Sequence, residues 1–400
     1  MTERLYYRDS FLREFDATVT SCEREGDRFK VTLDRTAFYP SSGGQPHDLG
    51  ALSGVPVTEV VDSPDHQTIV HYTSAELPAG PVRATIDWNR RLDHMQQHTV
   101  QHLLSAVFLD LFQFPTISFH LGRELSTIDL SGSVVSASNL DEAENRANAL
   151  VFENRLVAIR FGTAEELAAA GVRKAVDREG VLRAVEIDGV DLQPCGGTHL
   201  ASTGQVGLLL LRGLERRRDA WRVSFVAGGR ALEAARTDFQ ALAKSSELLS
   251  CARTEVPAVL AKTLEERRTQ HAYAKKLEES LANFQADALF AAAGTASPAN
   301  TAQPRVVASL VENGVPSYLA LLASKLTAKA SVAALLAGQG SGHVVFAQTK
   351  GAAHDMGALM RDVLREFPGK GGGSRDFAQG SLSDPAQAES LLSLAKSKLA

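Results

Sequence analysis

Two short segments carry side chains of the types and spacings that bind a metal ion. In RLDHMQQHTVQHLL, His98 and His102 stand four residues apart. On an α-helix that spacing puts both imidazoles on one face, one turn apart. Alone, such a pair more often serves a surface or core role than a ligand role. Farther along, Pro194-Cys195-Gly196-Gly197-Thr198-His199 places a thiolate and an imidazole around two glycines that let the backbone fold tightly toward an ion. One thiolate with three imidazoles suits zinc, and the pattern leaves open whether one coordination position is kept for water or substrate. A metalloprotease helix needs a glutamate beside its first histidine, whereas here Thr99 follows His98. His94, one turn earlier, is expected behind or beside the ligands rather than as a fifth. His47, His66, His71, His120, His271, His343 and His354 have no ligand-like spacing, and Cys22 and Cys251 read as ordinary thiols.

The elements that must position these donors follow from pattern. From Tyr6 to about Asp87, runs such as RFKVTLD, TIVHYT and PVRATID alternate with turn clusters, as in a small β-barrel or sandwich. Residues 88–111 lose Gly and Pro and carry Leu92, Met95, Val100, Leu103, Leu104, Val107 and Leu111 at helical spacing. This predicts a long amphipathic helix bearing His98 and His102. The runs ELSTIDLSG, RLVAIRFG, VLRAVEID, VGLLLLRGL and WRVSFVAG then predict strands, with a helix over 139–154 whose Asp141 and Glu142 lie near its N-terminus. An Ala/Leu/Glu/Lys-rich stretch follows, read as a helical arm broken or kinked at Pro257. The segment GTASPANTAQP reads as a linker. Beyond it, strands and helices alternate around a glycine-rich loop, the pattern of a compact α/β domain.

Composition bounds the class. The 400 residues are 44% hydrophobic and 22% charged, enough for two or three cored domains. No apolar run approaches the roughly twenty residues that span a bilayer, and the start MTERLYYRDS lacks a secretion-signal order, so a cytoplasmic protein without membrane contact is expected. Three scattered cysteines exclude a disulfide framework. With a net charge of -5, any RNA contact must come from local basic patches. Arg212, Arg216, Arg217, Arg218 and Arg222 form one candidate, although Glu215 and Asp219 interleave with them as in a solvated turn.

The patterns HTVQH at 98–102 and CGGTH at 195–199 resemble the editing domain shared by alanyl-tRNA synthetases and freestanding AlaX proteins. DRTAFYPSSGGQPHDLG at 34–50 resembles the hallmark loop of that family's N-terminal β-domain, and WRVSFVAGGRAL at 221–232 its closing strand and turn. GKGGGSRDFAQGS at 369–381 is similar to the glycine-rich end of the DHH-associated domain at the synthetase C-terminus. The resemblance covers nearly the whole chain and implies the long AlaX form without the ATP-binding aminoacylation domain.

That resemblance implies an α+β chain of four parts. These are an N-terminal small β-barrel (1–87), a zinc editing domain of the threonyl/alanyl-tRNA synthetase type (88–232), a helical arm (233–293) and a C-terminal DHH-associated α/β domain (294–400). The implied activity is zinc-dependent hydrolysis of tRNA(Ala) mischarged with serine or glycine, with His98, His102, Cys195 and His199 holding the zinc. Thr36 matches the family threonine that reads the serine hydroxyl, and Gln45 the polar residue of the SGGQ loop. Gly43 and Gly44 are expected to admit the terminal adenosine, Arg222 to contact substrate and Gly371, Gly372 and Gly373 to admit RNA phosphate. For Thr36 a strand-end residue satisfying its own turn is the alternative, and for the three glycines a tight turn. A homodimer through the C-terminal part is also implied. Ser42 departs from the third glycine of many short AlaX proteins. The metal pattern is shared with bacterial threonyl-tRNA synthetase, which keeps serine-charged threonine tRNA open as substrate. A nonhydrolytic tRNA-binding protein with structural zinc is the second alternative.

Overall fold

A computed structural model describes residues 1–132, 134–174, 179–293, 304–329 and 331–399. The chain divides into two compact units, Met1–Ser245 and Ser246–Ala400.

The first unit opens with β1 (Glu3–Arg4), β2 (Glu14–Glu25), β3 (Arg28–Leu33), β4 (Arg35–Thr36), β5 (Gly50–Leu52), β6 (Val55–Asp62), β7 (Ile69–Thr73) and β8 (Gly80–Ile86). Six of these close a barrel in the order β2-β3-β7-β6-β5-β8, while β1 and β4 pair in parallel beside it. Pairing of β2 with β8 completes the ring, and period-two alternation gives it an apolar interior. Phe15, Ala17 and Val19 of β2 and Val82, Ala84 and Ile86 of β8 point inward, between exposed polar neighbours. The 34–50 segment leaves the barrel after β3, passes through β4 beside it and returns at β5.

Helix α1 (Trp88–Phe112) starts where the Asp87 carboxylate caps the Arg90 N–H and ends at Gln113 in the left-handed conformation. The expected amphipathic helix is instead buried nearly all round. Gln97, His98, Thr99, Gln101, His102 and Ser105 are as enclosed as Met95 and Leu103. A helix polar on one face survives burial when each polar group is hydrogen-bonded, and on α1 that face is the functional one.

Around α1 come β9 (Thr116–Leu121), β10 (Ser126–Leu130), α2 (Ala137–Phe152), β11 (Val157–Gly162), α3 (Ala164–Ala169), β12 (Leu182–Ile187), β13 (Asp191–Pro194), β14 (Leu209–Arg216) and β15 (Trp221–Ala227). They form a four-stranded sheet β14-β15-β10-β9 and a three-stranded sheet β11-β12-β13. Met95, Leu103 and Val107 of α1 pack with Ile128, Val185 and Phe225 in one core. The second helix begins two residues before the expected 139, because Ser136 and Asn139 form a capping box. Strands β9 and β13 and helix α3 are too short or too mixed in pattern to stand out in the sequence.

Helix α4 (Gly229–Leu249) is followed by α5 (Val256–Ala292). The arm is broken as expected, but Pro257 lies in the first turn of α5 rather than at a kink, where its missing N–H costs nothing. The linker at 294–304 lies outside the described residues except for Pro304.

The second unit continues with β16 (Arg305–Val311), α6 (Pro316–Thr327), β17 (Val332–Gly338), β18 (His343–Gln348), α7 (Met356–Val363), β19 (Gly369–Gly373), β20 (Phe377–Leu382) and α8 (Ala388–Ser397). The sheet runs β16-β17-β18-β20-β19, parallel in its first pair and antiparallel thereafter. Ala334 and Leu336 of β17 meet Leu319 and Leu322 of α6, and Leu335 and Ala337 meet α7 and α8, which makes a three-layer α/β/α stack. The glycine-rich segment is therefore an edge strand and not a loop, since its backbone pairs residue by residue with β20.

Among the described residues no helix is long and apolar enough to cross a membrane.

Candidate metal centre and its cavity

One cluster of metal-type donors stands out among the described residues. The helical stripe of α1 presents His98 and His102, and the loop after β13 brings Cys195 and His199 against it, with all four donor atoms within 4.8 Å of one another. Cys195 Sγ lies 3.5 Å from His98 Nε2 and 3.3 Å from His199 Nε2. A tetrahedral zinc with bonds of about 2.0–2.3 Å has donor–donor edges of roughly 3.4 Å, so the set fits that ion.

Each imidazole is oriented from behind. His98 Nδ1 lies 2.8 Å from Gln45 Oε1, His102 Nδ1 3.1 Å from Asp191 Oδ2 and His199 Nδ1 3.2 Å from Thr99 Oγ1. With Nδ1 serving these acceptors, Nε2 of every ring is left as the lone pair facing the other donors. Asp191 is itself gripped by Arg173 at 2.7 Å. Gln45 also accepts from the Thr198 N–H and donates to the Thr198 hydroxyl, tying the 34–50 loop to the Cys195–His199 loop. Gly197 lets these parts touch. A Cβ there would sit 2.2 Å from His98 Cε1 and 2.8 Å from Gln45 Oε1.

The electrostatics favour the ligating forms of two donors. Burial opposes ionisation of Cys195, yet His98 and His199 and hydrogen bonds from His102 and His199 hold the thiol well below its usual range. Burial, with His98 next, pushes His199 down to about 3. His102 moves the other way, up to about 9, because Asp191 and Cys195 outweigh its burial.

His98, His102 and Cys195 line a cavity of about 480 Å³, while His199 lies behind them. Its walls include Gly43 and Gly44, Thr116 and Phe119 of β9, and Gln101 and Ser105 of α1. Gly44 is in the left-handed region at φ +81°, and a Cβ there would meet the Phe119 ring at 2.7 Å. Gln101 and Ser105 were not singled out in the sequence. The signal for them was there, since 98, 101, 102 and 105 are one helical stripe of polar residues within an apolar segment.

Other expected site residues lie elsewhere. Thr36 is fully buried and absent from the described lining. Its hydroxyl meets His71 Nε2 at 2.8 Å and accepts from the Phe38 N–H, which is the turn-satisfying arrangement. Arg222 forms a two-pronged pair with Asp129. Arg212 pairs with Asp238 and Arg217 with Glu215, so much of the basic run is neutralised. His94 is buried beside Arg90, outside the donor cluster, with Nδ1 unpartnered. In the second unit, Gly371 lines a cavity of about 380 Å³ with Lys370 and His343, whereas Gly372 and Gly373 do not.

The first unit holds a metal-type donor set walled by a barrel loop, and the second is an α/β/α stack. Residues 182–223 match the model of the threonyl and alanyl tRNA synthetase second additional domain, and residues 303–400 match the DHHA1 domain. The chain is 30% identical to the alanyl-tRNA editing protein AlaX-L of Pyrococcus horikoshii, over all of this chain and 98% of that one. It is 29% identical to the alanyl-tRNA editing protein Aarsd1 of Mus musculus, over 97% of each. It is also 30% identical to the alanine–tRNA ligase of Archaeoglobus fulgidus, over 98% of this chain and 43% of the ligase. The chain belongs to the family of alanyl-tRNA editing proteins.

Proposed function

We propose that this protein is a zinc-dependent aminoacyl-tRNA hydrolase that acts in trans and deacylates tRNA(Ala) carrying serine or glycine. The observation that carries this reading is the set of three imidazoles and one thiol converging beside a cavity that three of them line, each imidazole braced by its own polar partner. Family membership supplies the class of substrate.

His98, His102, Cys195 and His199 hold the zinc, which when bound supplies Lewis acidity toward the aminoacyl group. The chain does the rest. Gly43 and Gly44 bring bare backbone to the cavity wall, close enough for a ribose or ester oxygen to approach. Gln45 acts as a positioning residue through His98 and Thr198. Thr36 supports the loop from behind through His71 and Phe38. Arg222 contributes through Asp129, which in turn accepts from Ser118 on the cavity wall. At the second unit, the Gly371–Gly373 edge strand is the surface offered to RNA backbone, and a homodimer forms through the C-terminal region.

The test is a panel of mischarged tRNAs incubated with the metal-loaded protein, with bound metal measured by emission spectrometry. Release of serine or glycine from tRNA(Ala), lost together with stoichiometric zinc in Cys195→Ala, is the expected result. Tight tRNA binding with every ester intact would instead establish a nonhydrolytic binder, and activity confined to serine-charged tRNA(Thr) would move the substrate.

A further inference from the structure

The metal cavity has a neighbour that no role above uses. A second cavity, about 380 Å³, opens on the other side of Tyr39, Ser42 and Gly196, which line both. That volume falls within the ~300–1,000 Å³ of small-ligand sites. Three tyrosines, Tyr6, Tyr7 and Tyr39, stand among its walls beside the charged Arg4 and Asp62. Tyr6 packs edge-on against Tyr7 at 4.9 Å and against Tyr39 at 5.3 Å between ring centroids. Tyr6 and Tyr39 are buried and Tyr7 is partly open. Tyr7 reaches to 3.8 Å from where a Cβ of Gly196 would stand, next to Cys195 of the donor set. At the far rim, Arg4 clasps Asp62 at 2.7 and 3.0 Å, and His66 approaches the same carboxylate.

An aminoacyl ester is carried on the ribose of a terminal adenosine, so a site for the ester must continue into a site for a base. We infer that the tyrosine-lined cavity takes the terminal purine base, stacked on Tyr7, with the Arg4–Asp62 pair offering a donor and an acceptor to its edge. The inference rests on the proposed hydrolytic reading. It adds to that reading where the nucleoside lies and which side chain holds it. A flat, half-open ring suits this role because base–aromatic stacking needs only a π-face. The carboxylate of Asp62 has lone pairs beyond those facing Arg4 and His66, and these accept from an exocyclic amine. Gly196, shared by both cavities, is the narrow place where the ribose passes from one to the other.

The experiment compares Tyr7→Leu and Tyr7→Phe with the parent protein, using full-length mischarged tRNA and, separately, serine methyl ester, which has no nucleoside. Tyr7→Leu should raise KM for the mischarged tRNA roughly tenfold, in the range of a lost base–aromatic stack, with kcat little changed. Tyr7→Phe should stay within about twofold, and turnover of the small ester should be the same in all three. Unchanged KM in a folded, zinc-replete Tyr7→Leu protein overturns the inference. A second measurement needs no variant: photolysis of the parent protein with 8-azidoadenosine 5′-monophosphate should label residues 4–7 or 39–42. Labelling confined to other segments overturns the inference as well. A parent protein that cleaves no ester but is labelled at these residues would defeat the hydrolytic reading and leave the base site standing.

Discussion

At the scale of single residues, the consequential side chains are those behind the donors. Gln45 touches His98 and the loop of Cys195 at once, so Gln45→Met removes two constraints without removing a ligand. Zinc affinity or turnover should fall about 10–100-fold, as for other losses of a ligand's supporting partner. Competition with a chromogenic chelator reads the affinity, and an unchanged value would detach Gln45 from the centre. His71 gives a second expectation. Its burial holds the imidazole down at about 4, so the folded barrel resists protonation that the unfolded chain accepts near 6.5. The unfolded state therefore binds more protons between those values, and stability falls as pH drops through that window, by up to roughly 3 kcal/mol. Urea midpoints at pH 7 and 5 should show the loss, and His71→Gln should flatten it.

At the scale of elements, β19 shows how little room a glycine-rich edge leaves. A Cβ on Gly373 would lie 2.2 Å from the Phe377 carbonyl, whereas one on Gly372 meets nothing within 4 Å. Gly373→Ala should destabilise the second unit by about 1–3 kcal/mol, and Gly372→Ala should change it by less than about 0.5. Thermal melts followed by circular dichroism distinguish the two. The sequence shows the glycines but not this asymmetry, because strand register is a tertiary quantity. The same limit separates what was legible from what was not. The barrel strands, α1 and the HTVQH and CGGTH donors follow from local period and spacing. Asp191 behind His102, Thr99 behind His199 and the two-sided burial of α1 depend on segments that meet only on folding. Thr36 matched a motif, and the strand end on which it sits turns its hydroxyl to His71.

At the scale of the molecule, α5 carries Tyr273, Leu277, Leu281 and Phe284 on one side, each more than half exposed. That spacing suits a helix–helix seam. The protein should therefore sediment as a dimer, and Leu277→Glu with Phe284→Glu should yield monomers that keep their zinc. A parent protein of monomeric mass at working concentration would remove the assembly.

The centre also sets an order of events during synthesis. Cys195 is 97 residues beyond His98, and the donors that complete the set are supplied only after β13 has been made. A nascent chain halted before that strand exposes a histidine pair with no thiolate beside it, a poor trap for any cation. The four donors thus meet only once the second sheet has docked.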